Sequence, residues 1–144
     1  MRRWGWVVIS LWTACAWAVP PESPDFTREP DRPWLVMVTQ EDCSYCALLE
    51  RDVLGPLRAS RLFEDSIRFT EVDIGTNPQI IDFDGAAVSA RAFATRYQAF
   101  GTPTLLYLDA TGRPMAEPSY GIPGAIEFYG YAIEERLKSM AASR

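Results

Sequence analysis

The sequence predicts an α/β domain in which helices flank a central mixed sheet of four strands, in the order β-α-β-α-β-β-α. Two kinds of apolar pattern support this prediction. Short, nearly continuous apolar runs at residues 34–39, 67–73 and 104–108 are typical of strands that are buried on both faces. Apolar residues spaced by three and four positions alternate with these runs and indicate amphipathic helices.

Three helices are expected between and after these strands. The first follows the first strand, and Gly55-Pro56 should interrupt it, with Leu57, Leu62 and Phe63 offering a continuation. The second begins at Ser89, a residue type that caps helix N-termini, and ends at Gly101. The third begins near Pro123 and closes the domain. Their apolar positions are Leu48, Leu49, Val53 and Leu54 in the first helix, Ala90, Phe93, Ala94 and Tyr97 in the second, and Ile126, Tyr129, Ile133, Leu137 and Met140 in the third.

The fourth strand follows a turn at residues 109–112. It contains Pro114 and Pro118, which confine it to a sheet edge because proline has no N–H to donate. The connection over residues 74–88 has the least regular pattern, and its favoured interpretation is a solvated excursion. A small hairpin or a partner-facing loop at residues 82–85 are the alternatives, and no function is assigned to the connection.

The N-terminal segment has the features of an export signal. Two arginines precede an apolar run over residues 4–14 that is too short to span a bilayer. The Ala-Trp-Ala triplet at residues 16–18 has the small-x-small form that signal peptidases cut. We therefore expect residues 1–18 to be a signal peptide and the mature chain to begin at Val19 in the periplasm. Lipoprotein anchoring through Cys15 is a weaker alternative.

The segment between the signal and the first strand, residues 19–33, holds five prolines and has no apolar period. This composition predicts an extended, poorly ordered arm. The folded domain is then expected to cover residues 34–141, a length that suits one domain with a single core.

Charge and composition exclude several classes of function. The 144-residue chain has a formal net charge of −5 and one lysine, Lys138, so nucleic acid and anionic membrane surfaces are not expected as partners. It has no histidine, which rules out Ser-His-Asp catalysis, Cys-His catalysis and histidine-containing zinc sites. No cofactor and no metal are expected.

Cys43 and Cys46 are the two cysteines of the predicted mature chain. One closely spaced pair does not indicate a fold that depends on disulfides for its stability. The pair follows a predicted strand and begins a predicted helix. Unpaired backbone N–H groups and the helix dipole stabilise a thiolate at a helix N-terminus, which predicts that Cys43 is the nucleophile. Cys46 should lie one turn inside on the same face, more shielded from solvent, and act as the resolving thiol.

Three alternatives to redox chemistry have weaker support. A purely structural disulfide is disfavoured because so short a loop removes little entropy from the unfolded chain. Two thiolates cannot complete a tetrahedral zinc shell, although they could carry Cu(I). Chance occurrence of the spacing is disfavoured by the strand before it and the helix after it.

The cysteine motif and a second short motif make this sequence resemble the thioredoxin superfamily, specifically the small exported thioredoxin-related proteins of sulfur oxidation and cytochrome maturation. The resemblance rests on the Cys-Ser-Tyr-Cys sequence at residues 43–46 and the Gly-Thr-Pro-Thr sequence at residues 101–104, each beside a strand. It implies a thioredoxin-like fold with a cis bond between Thr102 and Pro103, close to the cysteines. It also implies substrate contacts at Thr102, Pro103 and Tyr45.

The chain departs from thioredoxin itself at several positions. Ser44-Tyr45 replaces the Gly-Pro of the reductases and is closer to the dipeptides of exported isomerases and glutaredoxins. Asp42 stands where thioredoxins have Trp. Met37 stands where they have the buried Asp that takes the proton of the second cysteine, so the group that deprotonates Cys46 is left open.

Acidic neighbours and the absence of a cation in the motif favour a reductant or isomerase over a strong oxidant, since they stabilise the Cys43 thiolate only moderately. The predicted function is therefore a periplasmic dithiol reductase, monomeric because residues 19–33 are too short to form a dimerisation domain. The resemblance implies disulfide-containing periplasmic substrates and electrons from a membrane-embedded thiol-disulfide transporter. A disulfide oxidase or isomerase, a non-catalytic binding module and a Cu(I) carrier are the alternatives.

Overall fold

Four strands form the central sheet of the computed structural model, which describes residues 23–143, and two more form a separate hairpin. The strands are β1 (Trp34–Thr39), β2 (Arg68–Asp73), β3 (Gln79–Ile81), β4 (Ala87–Ser89), β5 (Thr104–Leu108) and β6 (Ser119–Tyr120). The central sheet has the order β2-β1-β5-β6, with β1 parallel to β2 and antiparallel to β5, which in turn is antiparallel to β6. The predicted mixed four-stranded sheet is confirmed, and its fourth strand lies at the sheet edge as predicted. This strand covers only Ser119–Tyr120, however, and does not contain Pro114 or Pro118.

The helices flank this sheet. They are α1 (Ser44–Leu49), α2 (Gly55–Ala59), α3 (Ala90–Arg96) and α4 (Ile126–Ala142), and a π-helical segment, Glu50–Leu54, joins α1 to α2. Within residues 23–143, no helix has the length and hydrophobicity that crossing a membrane requires.

The predicted continuation of the helix beyond Gly55-Pro56 is observed as far as Ala59, but the predicted interruption is not, because a π-helical segment leads into α2 without a break. The N–H of Gly55 donates to the carbonyl of Glu50, five residues earlier, so the turn is one residue wider than in an α-helix. A Cβ on Gly55 would lie 2.8 Å from that carbonyl oxygen, which explains a glycine here. Pro56 follows as the second residue of α2.

The start of α3 agrees with its prediction, whereas its end does not. Ser89 caps the helix, and its Oγ accepts a hydrogen bond from the N–H of Ala92 at 3.2 Å. The helix ends at Arg96, well before the predicted Gly101, and Gln98 takes the left-handed backbone conformation, with φ 58°. The start of α4 also differs from its prediction, because this helix begins at Ile126 rather than near Pro123.

The connection over residues 74–88 contains the β3–β4 hairpin, so the favoured interpretation as a solvated excursion is wrong. Ile80 is fully buried, and Asp82 at the end of β3 is buried as well. The carboxylate of Asp82 accepts two hydrogen bonds from the guanidinium of Arg96, at 2.5 and 2.8 Å. This ion pair links the hairpin to α3.

The core has two parts, one on each face of the sheet, because successive strand residues point to opposite sides. On one face, Leu35 and Met37 of β1 pack in the cluster that includes Leu49 and residues of α4. On the other face, Val36 and Val38 pack against α3 and the hairpin. The predicted stripe of α4 is buried at Tyr129, Ile133, Leu137 and Met140.

The described part of the predicted arm, residues 23–33, is not a poorly ordered extension. Phe26 is 1% exposed, and its ring stacks on Phe83 and Phe93 at centroid distances of 4.5 and 5.0 Å. Its N–H donates to the carbonyl of Ile81 at 3.0 Å, which adds backbone pairing to the hairpin. The folded domain therefore begins before Trp34.

The remaining N-terminal predictions concern residues 1–22. The predicted signal peptide, the predicted mature start at Val19, the alternative lipid site at Cys15 and the first four residues of the predicted arm all lie outside the described residues.

Candidate active site

A disulfide joins Cys43 and Cys46 at the start of α1, with their Cα atoms 5.2 Å apart. The chain leaves β1 at Thr39 and turns at Asp42, which has a positive φ of 59°. Cys43 is the N-cap of α1 in an extended conformation, and Ser44 is the first helical residue. This is the predicted placement of a cysteine at a helix N-terminus.

The two sulfurs have different surroundings. The Sγ of Cys43 accepts a hydrogen bond from the backbone N–H of Cys46 at 3.1 Å, which is the contact a capping side chain makes with a helix N-terminus. Cys43 is partly exposed, whereas Cys46 is 4% exposed. Tyr45, between them, is 62% exposed and available to a partner surface.

The peptide bond between Thr102 and Pro103 is cis, as the resemblance implied. Thr104 lies opposite Val38 in the antiparallel pair of β5 and β1, so Pro103 lies at the end of the sheet from which the cysteine motif emerges. Pro103 is buried, and its carbonyl accepts a hydrogen bond from Gly121 at 2.8 Å. Thr102 is half-buried, and no residue between 23 and 143 forms a hydrogen bond with its backbone.

An open cleft of about 540 Å³ lies beside the disulfide, on the side of β2. Its lining includes both cysteines, Met37, and two carboxylates that the sequence analysis did not single out, Glu50 and Glu71. Glu50 lies four residues after Cys46, and this spacing brings two helical side chains to one face. The spacing is therefore a sequence signal from which Glu50 could have been predicted to lie near the disulfide. Glu71 is the β2 partner of Met37, a relationship that requires the strand register.

Glu50 has an asymmetric environment. Its Oε1 forms an ion pair with Arg58 of α2. Its Oε2 is buried and has no hydrogen-bond partner among the described residues. The two carboxylate oxygens therefore differ, since one has a charged partner and the other has none among the described residues.

The ionisable side chains that line the cleft beside the disulfide are acidic. None of the described residues that line the cleft is basic, and Asp42, Glu50 and Glu71 contribute carboxylates. Within residues 23–143, no cluster of cysteine and carboxylate side chains has the arrangement of a metal site.

The family model of the thioredoxin-like domain matches residues 22–132, and the chain belongs to this family. The match includes Phe26 and the rest of the segment that precedes β1. No curated protein matches the chain in sequence.

Solved structures with the same fold are distant in sequence. A DsbH oxidoreductase superposes with a TM-score of 0.55 at 19% identity, covering 78% of this chain and 76% of its own. A thioredoxin-fold protein from Helicobacter pylori superposes with a TM-score of 0.51 at 18% identity, covering 85% and 86%. A thioredoxin-like protein from Clostridium perfringens gives 0.51 at 20% identity, covering 76% and 71%. These similarities establish the thioredoxin-like fold.

The fold and the Cys43–Cys46 disulfide together define a thiol-disulfide oxidoreductase. A disulfide with one partly exposed sulfur and one buried sulfur can open by exchange at the outer sulfur and close again by attack from the inner one.

Proposed function

We propose that this protein is a periplasmic dithiol reductase, in which reduced Cys43 and Cys46 open disulfides of exported partner proteins. The observation that carries this proposal is the hydrogen bond from the Cys46 N–H to the Sγ of Cys43, which stabilises a thiolate at the accessible position. The residue pattern of positions 1–18 supports export, since it has the charged, apolar and small-residue regions of a signal peptide.

The proposed cycle has two exchange steps. The Cys43 thiolate attacks one sulfur of a substrate disulfide, forming a mixed disulfide and releasing the first substrate thiolate. The Cys46 thiol loses its proton and attacks the Sγ of Cys43, which releases the second substrate thiolate and oxidises the pair. The substrate gains two electrons, and the protein ends with the Cys43–Cys46 disulfide of the structure.

Substrate contacts are assigned to Tyr45, Thr102 and Pro103. The backbone of Thr102 has no partner among residues 23–143 and can pair with an extended segment of the substrate. The exposed ring of Tyr45, between the two cysteines, can pack on the same segment.

The acidic surroundings support reduction over oxidation. Glu41 and Asp42 precede Cys43, and carboxylates oppose a negative charge on sulfur, so the thiolate form gains less than it would beside a cation. A less stabilised reduced form gives electrons more readily. The Cys43–Cys46 disulfide must be reduced again after each cycle, and a membrane-embedded thiol-disulfide transporter is the proposed electron donor. In this proposal the protein acts as a monomer.

Partner trapping in periplasmic extracts tests the assignment. The Cys46→Ala variant retains the attacking sulfur and should accumulate mixed disulfides that dithiothreitol releases. The double variant Cys43→Ala, Cys46→Ala is the matched control and should trap nothing. Equal recovery with both variants would contradict the assignment.

A redox titration against glutathione tests the direction of electron flow. A pair more reducing than the glutathione buffer agrees with a reductase. A strongly oxidising pair would instead favour the disulfide oxidase or isomerase, for which Ser44-Tyr45 is the sequence signal.

A further inference from the structure

We propose that the outer edge of β2 binds an extended segment of the substrate protein, which pairs with it as a fifth strand and carries a basic side chain opposite Glu71. This inference rests on the proposed reductase function and names the class of segment that its substrates present near the cystine. The site lies on the opposite side of β1 from β5 and Thr102, so it adds a second contact to those assigned above.

The backbone of β2 has one bonded side and one open side. The N–H groups of Arg68 and Ile74, at the two ends of the strand, donate to carbonyls at the two ends of β1, at 2.8 and 2.9 Å. Alternate residues of a strand direct their N–H and C=O groups to the same side. The groups of Phe69, Glu71 and Asp73 therefore point away from β1, and we call this row of groups the open edge.

The open edge has no partner in the described part of the chain. β2 is the outermost strand on its side of the sheet and pairs with β1 alone. No residue between 23 and 143 forms a hydrogen bond with the backbone groups that point outward. A row of unpaired N–H and C=O groups on an edge strand is a template on which an extended peptide can add a strand.

The open edge reaches the cleft beside the disulfide. β2 is parallel to β1, and Asp73 at its end lies opposite Thr39, from which the chain continues into the cysteine motif. Glu71 lines the same cleft as Cys43 and Cys46. A segment that pairs with the open edge can therefore continue along the cleft to a cystine at Cys43.

Glu71 supplies the charge of the open edge. Its side chain is exposed, and no residue between 23 and 143 forms a hydrogen bond or an ion pair with it. The other carboxylate of the edge, Asp73, already accepts hydrogen bonds from Gly75 and Thr76. In an added strand the residue opposite Glu71 lies on the same face of the sheet, with Cβ atoms about 5 Å apart. Lysine or arginine at that position would form a cross-strand ion pair.

The same charge disfavours a second copy of this chain as the added strand. Two antiparallel registers align the outward-pointing groups of two β2 strands over most of their length. In one register Glu71 lies directly opposite Glu71 of the other copy, and in the other register it lies diagonally across from it. Like charges at such positions are destabilising, and the formal net charge of −5 adds to the repulsion. A basic segment of another protein is the occupant that the charge favours.

Amide hydrogen exchange measured by NMR tests the site residue by residue. In the oxidised protein alone, the amides of Phe69, Glu71 and Asp73 should exchange at least about tenfold faster than those of Thr70 and Val72, which bond to β1. The probe is a synthetic peptide without cysteine in which lysine alternates with valine. At saturation it should slow the three outward amides by at least about fivefold. The matched peptide of alternating glutamate and valine should leave them unchanged.

Reduction of disulfide peptides tests whether the site serves the reductase. Two peptides carry the same cystine and differ only in a tail of alternating lysine and valine or of alternating glutamate and valine. The reduced native protein should react with the lysine-tailed peptide at least about threefold faster at low ionic strength, measured as a second-order rate constant. N-methylation of the lysine tail should remove most of this advantage, since it blocks strand pairing and leaves the charge in place.

A charge reversal on β2 tests the assigned contact. Glu71→Lys should reverse the preference, so that the glutamate-tailed peptide becomes the faster substrate. Glu117→Lys is the matched control, because it makes the same change at an exposed position beside the opposite edge of the sheet. This variant should retain the native preference.

Three results would overturn the proposal. Slow exchange of the three outward amides in the free protein, independent of its concentration, would show that another part of this chain covers the open edge. Slow exchange that increases with protein concentration would show that a second copy does. An unchanged tail preference in Glu71→Lys would place the contact elsewhere. Failure of the proposed function is distinguishable, because the reduced protein would then leave both disulfide peptides intact while the lysine peptide still slowed the exchange.

Discussion

The Sγ of Cys43 lies 3.1 Å from the backbone nitrogen of Cys46 and accepts its hydrogen bond at the N-terminus of α1. In the reduced protein this N–H would stabilise a thiolate at Cys43, whereas Cys46 is buried one turn further in. We expect iodoacetamide at neutral pH to modify Cys43 at least about tenfold faster than Cys46. Mass spectrometry of timed digests measures both rates, and equal rates would contradict the assigned order.

Phe26→Ala tests whether the segment before β1 belongs to the core. Phe26 is 1% exposed and stacked between two other aromatic rings, so its removal should lower the free energy of unfolding by about 3–5 kcal/mol. Phe128→Ala is the matched control, since this ring is 77% exposed and its loss should change the stability by less than about 0.5 kcal/mol. Urea titration measures both, and similar small values would show that the segment is dispensable.

Gly55→Ala and Gly130→Ala should change the stability in opposite directions, although both replace a helical glycine. A Cβ at Gly130 would lie 3.5 Å from the nearest methyl of Val53, an ordinary contact, so alanine should stabilise the helix by about 0.5–1 kcal/mol. A Cβ at Gly55 would lie 2.8 Å from the Glu50 carbonyl, so alanine should cost about 1–3 kcal/mol. Thermal unfolding measures both variants. Stabilisation by Gly55→Ala would contradict the role assigned to the π-helical segment.

The Asp82–Arg96 pair should make the stability depend on pH in acid solution. Hydrogen bonds from Arg96 hold the pKa of the Asp82 carboxyl below its usual value in the folded protein. Its contribution is then complete above the unfolded pKa of about 4 and declines as the pH falls towards the lower folded pKa. Because Arg96 is 48% exposed and therefore screened by water, we expect Asp82→Asn to cost only about 1–2 kcal/mol at neutral pH.

Urea titrations at several pH values check this expectation. The difference between the native protein and Asp82→Asn should shrink in acid. Gln79→Ala, an exposed change in the same hairpin that removes no titratable group, should show a difference that does not depend on pH. A constant difference at all pH values would contradict the account of the pair.

The parts of the fold that the sequence predicts well are those with local signals. The bounds of β5 agree with its prediction because a continuous apolar run at residues 104–108 is buried throughout. The cysteine pair and the Thr102–Pro103 bond were predictable because each lies in a short motif beside a strand. The Ser89 cap was predictable for the same reason, since its partner, the N–H of Ala92, is three residues away.

The parts that the sequence did not predict depend on distant partners. Phe26 lies in a proline-rich stretch, and its burial needs Phe83 and Phe93, which are far along the chain. The sequence placed Asp82 in a solvated loop because a charged residue is rarely buried without a partner. Its partner, Arg96, lies fourteen positions later, so the local sequence did not indicate the pair. Glu71 enters the cleft through the register of β1 and β2, which one sequence does not show.

The reduction of insulin by dithiothreitol, with and without this protein, tests the redox assignment most directly. The native protein should accelerate the precipitation of the insulin B chain, because Cys43 opens the insulin disulfides and dithiothreitol restores the reduced pair. Cys43→Ser should return the rate to that of dithiothreitol alone, and equal acceleration by the native protein and Cys43→Ser would contradict the assignment.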